Sequence, residues 1–118
     1  MYNEYALKQR ERHDRRVGNW HDKIDKTNPI LKEKYEAACF EVGLRMEERT
    51  QAYGVKTAEN EDAYNNFEDT YIIPAMKKES KLRHQYWCLH EHAIDEGEYL
   101  VCPDCGSVNF GLGWDSID

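Results

Sequence analysis

Apolar side chains recur at helical spacing in the second quarter of the chain. Leu31, Tyr35, Ala38, Val42 and Met46 step by four, three, four and four, which lines them along one face of an α-helix. Cys39 and Phe40 widen the stripe, and Cys39 is expected there as a buried core thiol rather than a ligand. Glu33, Glu36, Glu41, Glu47 and Glu48 mark the wet side. Thr27 or Asn28 can cap the start, and Pro29 suits the first helical position, where no backbone N–H is needed. The pattern predicts a helix to about Tyr53, with Gly54 as the stop. Gly43 costs up to about 1 kcal/mol in propensity inside such a helix, which suggests close packing of another backbone.

A further helical segment opens at Thr57 or Asn60, with Glu59, Glu61 and Asp62 at the positive end of its dipole. Ala63, Tyr64, Phe67 and Tyr71 form its stripe. Pro74 is expected to end or kink it near Ile73. Another helical stretch follows, from Ala75 to about Trp87. The short link through Gly54 predicts an antiparallel helical hairpin over residues 27–86.

The two ends of the chain read differently. Residues 1–26 are dense in charge, and from Tyr2 to Arg16 the apolar groups are few, namely Tyr2, Tyr5, Ala6 and Leu7. They read as a charged N-terminal helix or arm, either a solvated helix or disordered chain. Val17-Gly18-Asn19 is expected to break the pattern, and Trp20 to anchor the arm by docking. Residues 87–118 turn to β texture: Glu98–Val101 reads as a short strand, punctuated by Gly97, Pro103, Gly106, Gly111 and Gly113. The fold class is therefore α+β, helices first and a small β unit last. So small a unit needs a staple other than a hydrophobic core.

Charge sharpens this division. The 118 residues hold 16 Lys and Arg against 23 Asp and Glu, for a net −7, and the mean hydropathy is −0.94. That acidity argues against a general nucleic-acid binder, whose affinity rests on neutralising phosphates. The distribution is uneven: residues 57–76 hold five acids and no base, and residues 85–118 seven acids and no base. Between them, Lys77, Lys78, Lys81 and Arg83 stand against one acid. No stretch approaches the roughly 18 apolar residues of a membrane span, and Met1–Glu4 lack the apolar run of a signal peptide. A cytoplasmic location is the expectation.

The staple is a metal site. Cys102-Pro103-Asp104-Cys105-Gly106 is a C-x-x-C knuckle, in which two thiolates grip one ion and Gly106 permits the tight turn. Cys88 supplies a third sulfur, and His90 or His92 a nitrogen. Three sulfurs and one nitrogen suit tetrahedral Zn²⁺. An extended chain would turn Cys88, His90 and His92 the same way. A continuing helix would pair Cys88 with His92, or His84 with Cys88, at i,i+4. His90 is favoured because a compact knuckle needs ligands close in sequence, so the expected set is Cys88, His90, Cys102 and Cys105. A disulfide is disfavoured by the expected compartment, and a redox C-x-x-C lacks its usual βαβ setting. The zinc-deaminase signature is also a poor fit, because Pro103 follows its cysteine and a fourth protein ligand closes the site to water.

The run from Glu96 to Val108, Glu-Gly-Glu-Tyr-Leu-Val-Cys-Pro-Asp-Cys-Gly-Ser-Val, resembles the second half of a zinc ribbon, most closely that of transcription factor IIB and its relatives. The resemblance covers about a fifth of the chain. It implies a three-stranded β unit around structural zinc in residues 87–118. It also implies a surface of the kind that binds RNA polymerase, ribosomal components or nucleic acid. The first knuckle departs from that family's usual C-x-x-C or C-x-x-H.

Three functions follow as expectations. The first is a non-enzymatic interaction protein docked on a larger nucleic-acid-processing machine, with RNA polymerase the leading partner. The second is direct nucleic-acid binding through Lys77, Lys78, Lys81 and Arg83, with His84 and Arg10, Arg12, Arg15 and Arg16 in support. The third is an acidic inhibitor that occupies a nucleic-acid channel of its target. An enzyme is not expected, nor a small-molecule substrate. The sequence has no phosphate loop or nucleophile elbow, and no motif that assigns an acid and a base.

Overall fold

In the computed structural model, which describes residues 4–117, the hairpin is built on one seam. Helix α2 (Pro29–Tyr53) packs antiparallel on α4 (Ile73–Tyr86), joined through the short α3 (Glu61–Phe67) and a π-helical turn at Glu68–Ile72. Leu31 and Ala38 from α2 are buried against Leu82 and Tyr86 of α4, and Tyr35 lies 5.6 Å from the Tyr86 ring. Farther out the seam becomes polar. The Arg45 guanidinium lies over Tyr71, Arg49 over Tyr64, and Arg49 pairs with Glu68 at 2.5 Å.

Several local expectations are corrected. Cys39 is exposed, because it sits one helical step beyond Ala38 and off the seam. Phe40 points away from α4 and is 73% exposed. Gly43 admits no neighbour: a Cβ there would meet no heavy atom of the described residues within 4 Å. Pro74 does not end the helical path, and the disturbance expected near Ile73 takes the form of a π turn. The chain widens into the π turn just before it, and Pro74 then stands in the first turn of α4, where its missing N–H is not called on. Asn60 precedes α3 without capping it. Its Oδ1 accepts from the Thr57 N–H at 2.7 Å, and its Nδ2 donates to the Tyr53 and Val55 carbonyls.

Helix α1 (Glu4–Thr27) continues straight through Gly18 and Asn19, so the expected break is absent. A solvated helix absorbs one glycine at roughly 1 kcal/mol. Trp20 and Ile24 dock on the body, with Ile24 fully buried. Residues 4–19 are otherwise exposed, apart from a half-buried Gln9. Tyr2 lies outside the described residues. The radius of gyration, 19.7 Å, exceeds the roughly 13.5 Å of a compact chain of this length. The arm and the distal end of the hairpin account for the excess.

The C-terminal unit is a four-stranded antiparallel meander, one strand more than the resemblance implies. Its strands are β1 (Ile94–Asp95), β2 (Leu100–Val101), β3 (Val108–Asn109) and β4 (Trp114–Asp115). Only Leu100 and Val101 of the expected Glu98–Val101 strand pair; Glu98 lies in the β1–β2 turn. The β4 edge sits on α2, with Ile30 against Gly113 and Lys34 paired to Asp115 at 2.5 Å. One apolar cluster runs from Ile24 through Leu31, Leu82 and Tyr86 to Cys102 and Trp114. The knuckle cysteine is thus part of the core that joins hairpin to sheet.

Leu82→Ala should lower the unfolding free energy by about 2–5 kcal/mol, because it opens the seam. Phe40→Ala should change it by less than about 0.5 kcal/mol. Urea denaturation of the two variants measures both, and an equal loss would place the seam elsewhere.

Candidate metal centre

Cys88 follows the last turn of α4, where the Trp87 N–H closes back on the Arg83 carbonyl. The chain then turns sharply. His90 adopts φ 55°, the left-handed region that a side chain rarely occupies. That turn brings His90, and not His92, to the cysteines. The segment is neither extended nor helical, so Cys88 and His90 converge while His92 swings outward. His92 is exposed and lies 2.7 Å from the Asp104 carboxylate, which raises its pKa. His84 stays on the outer face of α4, away from the cluster.

Cys102 and Cys105 arrive from the β2–β3 turn. The Gly106 N–H donates to the Cys102 carbonyl at 2.7 Å, and the Cys102 N–H to the Ser107 carbonyl at 2.9 Å. Gly106 at φ 76° makes the turn possible. The result brings one donor atom from each of Cys88, His90, Cys102 and Cys105 within 4.8 Å of one another. Cys88 Sγ is 3.7 Å from Cys102 Sγ, and Cys105 Sγ is 3.5 Å from His90 Nδ1. The His90 N–H points at Cys88 Sγ from 3.4 Å. These four residues could hold a metal ion.

The residues behind the donors fix how they present. Asn28 is fully buried at the α1–α2 junction. Its Nδ2 donates to the Tyr86 and Cys88 carbonyls at 2.8 and 3.0 Å. Two acceptors on that side fix the amide's orientation. Asn28 Oδ1 therefore faces His90 Nε2, at 2.8 Å, and the ring must carry its proton on Nε2. The lone pair on Nδ1 is left pointing at the three sulfurs. Trp114 stacks on the imidazole with centroids 4.0 Å apart. Ser107 Oγ, buried, is 2.9 Å from Cys105 Sγ, and Gln85 Nε2 donates to the Cys105 carbonyl at 3.2 Å.

Burial sets the protonation of this cluster. It pushes the Cys88 thiol up to about 12 and raises that of Cys105. It pushes His90 down to about 4, so the imidazole is neutral, the form that binds metal. An incoming cation would have to displace the thiol protons, and its charge would then favour the thiolates.

The sequence offers a plain view of the four clustered donors, but not of the residues behind them. Asn28 reads only as a helix cap, and its side chain makes no cap bond at all. Nothing in the sequence links it to a histidine 62 positions away. Ser107 and Trp114 carry no local signal either. The basic stretch does not form one patch. Lys78 faces a cleft beside Lys34 and Glu41. Lys81 reaches the Ile117 carbonyl, Lys77 is exposed, and Arg83 pairs with Glu79 at 3.5 Å on another side of α4.

No protein-family model, no curated protein and no solved structure matches this chain. Among the described residues, no helix is long and apolar enough to cross a membrane.

Asn28→Ala should weaken metal binding about 10–100-fold, and His92→Ala should leave it unchanged; competition with a chromophoric chelator measures both. Acid should destabilise the metal-free chain in a defined window. Folded His90 titrates at about 4 against an ordinary 6.5. Between those values the unfolded chain takes a proton that the folded chain refuses, so stability falls as pH falls. Denaturation midpoints across this range should drop, and the drop should be smaller in His90→Gln.

Proposed function

We propose that Cys88, His90, Cys102 and Cys105 bind one structural Zn²⁺, and that the C-terminal unit is a zinc ribbon serving a non-enzymatic interaction protein. The observation that carries this reading is the donor set: three sulfurs and one nitrogen drawn from two turns, with the nitrogen's tautomer dictated by Asn28. Four protein ligands complete a tetrahedral shell and leave no position for water or substrate. The likeness of residues 96–108 to the ribbon of transcription factor IIB supports the same reading.

The proposed partner is a protein of a nucleic-acid-processing machine, RNA polymerase first among them. The outer end of the sheet supports this. Tyr99 and Phe110 lie 5.4 Å apart across the strands and are exposed. Leu112 is 89% exposed beside them in sequence, and Asp95 ends β1 with Glu96 and Glu98 in the adjoining turn. Aromatic anchors within an acidic rim suit a basic protein groove. The same acidity suits an inhibitor that fills a nucleic-acid channel, so the direction of the effect follows from the partner's assay.

Protein purified without added metal or chelator should carry one zinc ion per chain, read by native mass spectrometry. Cys102→Ser should abolish that mass and expose residues 88–117 to protease while the hairpin survives. Phe110→Ala with Leu112→Asp should retain zinc but lose capture of RNA polymerase. A metal-free wild type would remove the ribbon reading; a zinc-loaded wild type that captures no polymerase would remove only the partner.

A further inference from the structure

Trp20 and Trp87 meet edge to face, ring centroids 5.8 Å apart at 80°. Trp20 comes from α1 and Trp87 from the end of α4, so the pair exists only where those helices converge. Trp87 nonetheless leaves 46% of its surface in solvent. The two indoles wall a groove of about 490 Å³, with Arg83, His84, Cys88, Asp104 and Cys105 on its other sides. A second hollow of about 320 Å³ shares Trp20 and continues along α1 past Val17, Arg16 and His13.

This track is basic in an acidic protein. Residues 8–16 carry five bases against two acids, although the whole chain is −7. Tyr5, Arg12, Arg16 and Trp20 step by seven, four and four along α1, so they share one face that leads into the groove. Arg83 and Trp87 are likewise four apart on α4. Along this line Tyr5 and Trp87 are exposed and Trp20 is half-buried, with the guanidinium groups of Arg12, Arg16 and Arg83 between and beside them. An acidic peptide would use the cations and leave the indoles idle. A duplex would offer phosphates but keep its base faces stacked away from the rings. Unpaired nucleotides use both, with bases stacked on aromatic faces and phosphates paired to arginines.

We infer that the α1–α4 groove binds single-stranded nucleic acid, with Trp87 as a stacking platform and Arg16 and Arg83 as phosphate contacts. The site shares Arg83, His84 and Arg16 with the basic residues singled out in the sequence, but Lys77, Lys78 and Lys81 line neither hollow. It is carried by the convergence of two helices and borders the cysteine cluster through Cys88 and Cys105. The Arg83–Glu79 pair is long, at 3.5 Å, and its guanidinium side is exposed, so Arg83 can turn to a phosphate.

The test uses the full metal-loaded chain and fluorescence anisotropy with labelled oligothymidylate and oligouridylate of about fifteen nucleotides. A duplex of the same length and a polyglutamate competitor complete the set. The single strands should bind at least about tenfold more tightly than the duplex, with affinity falling as salt rises. Arg16→Glu and Arg83→Glu should each weaken binding about tenfold or more and flatten the salt dependence. Trp87→Ala should weaken it by a similar factor, and Lys77→Glu should leave it unchanged. Far-ultraviolet circular dichroism and metal content confirm that each variant is folded and loaded. Absent binding at low salt, equal affinity for duplex, indifference to both arginine variants, or full displacement by polyglutamate would each overturn the site.

Discussion

The hydrogen bond from His90 to Asn28 joins everything else in this protein. Asn28 sits where α1 hands the chain to α2, and its backbone is the first turn's acceptor, with Lys32 N–H donating to it at 2.9 Å. Its side chain closes on the Tyr86 and Cys88 carbonyls, which mark the end of α4. Its remaining oxygen selects the tautomer of His90, one of the four clustered residues that could hold a metal. One buried amide therefore fixes a helix start, a helix end and a ligand orientation. All of its hydrogen-bonding atoms named here are matched, and breaking any one contact leaves a polar group stranded in the core.

This arrangement explains why so little apolar surface suffices. The sheet has four strands of two residues each, far below what independent stability requires. It borrows its core from the hairpin, through Trp114 on β4 and Cys102 beside the seam residues Leu31 and Tyr86. The strained φ of His90 persists because Trp114 stacks on the ring from one side and Asn28 holds its far nitrogen. A bound ion would add a bond at Nδ1 and lock the two cysteine turns together.

The sequence was informative where chemistry is local. The i,i+4 stripe placed α2, and the C-x-x-C turn with Cys88 and His90 named the residues that cluster. It misled where geometry is non-local. Gly18 has a helix-breaking residue's reputation, yet in a solvated arm nothing opposes its helicity. Cys39 looked buried because a stripe read by eye is wider than the seam one partner helix can cover. Pro74 marks a disturbance near Ile73, but proline context does not specify that it is a π turn instead of a terminus. Asn28 was legible as a boundary and illegible as a partner of His90, since only the folded chain brings positions 62 apart into contact.

Hydrogen exchange read by mass spectrometry, on the protein with zinc bound and after chelation, bears most directly on the account. On the proposed reading, metal and Asn28 together secure the sheet to a hairpin that stands on its own seam. Chelation should release protection across residues 88–117 and at the α1–α2 junction, while amides of α2 and α4 along the Leu31–Leu82 seam stay protected. Unchanged protection of the sheet after the metal is removed would contradict it.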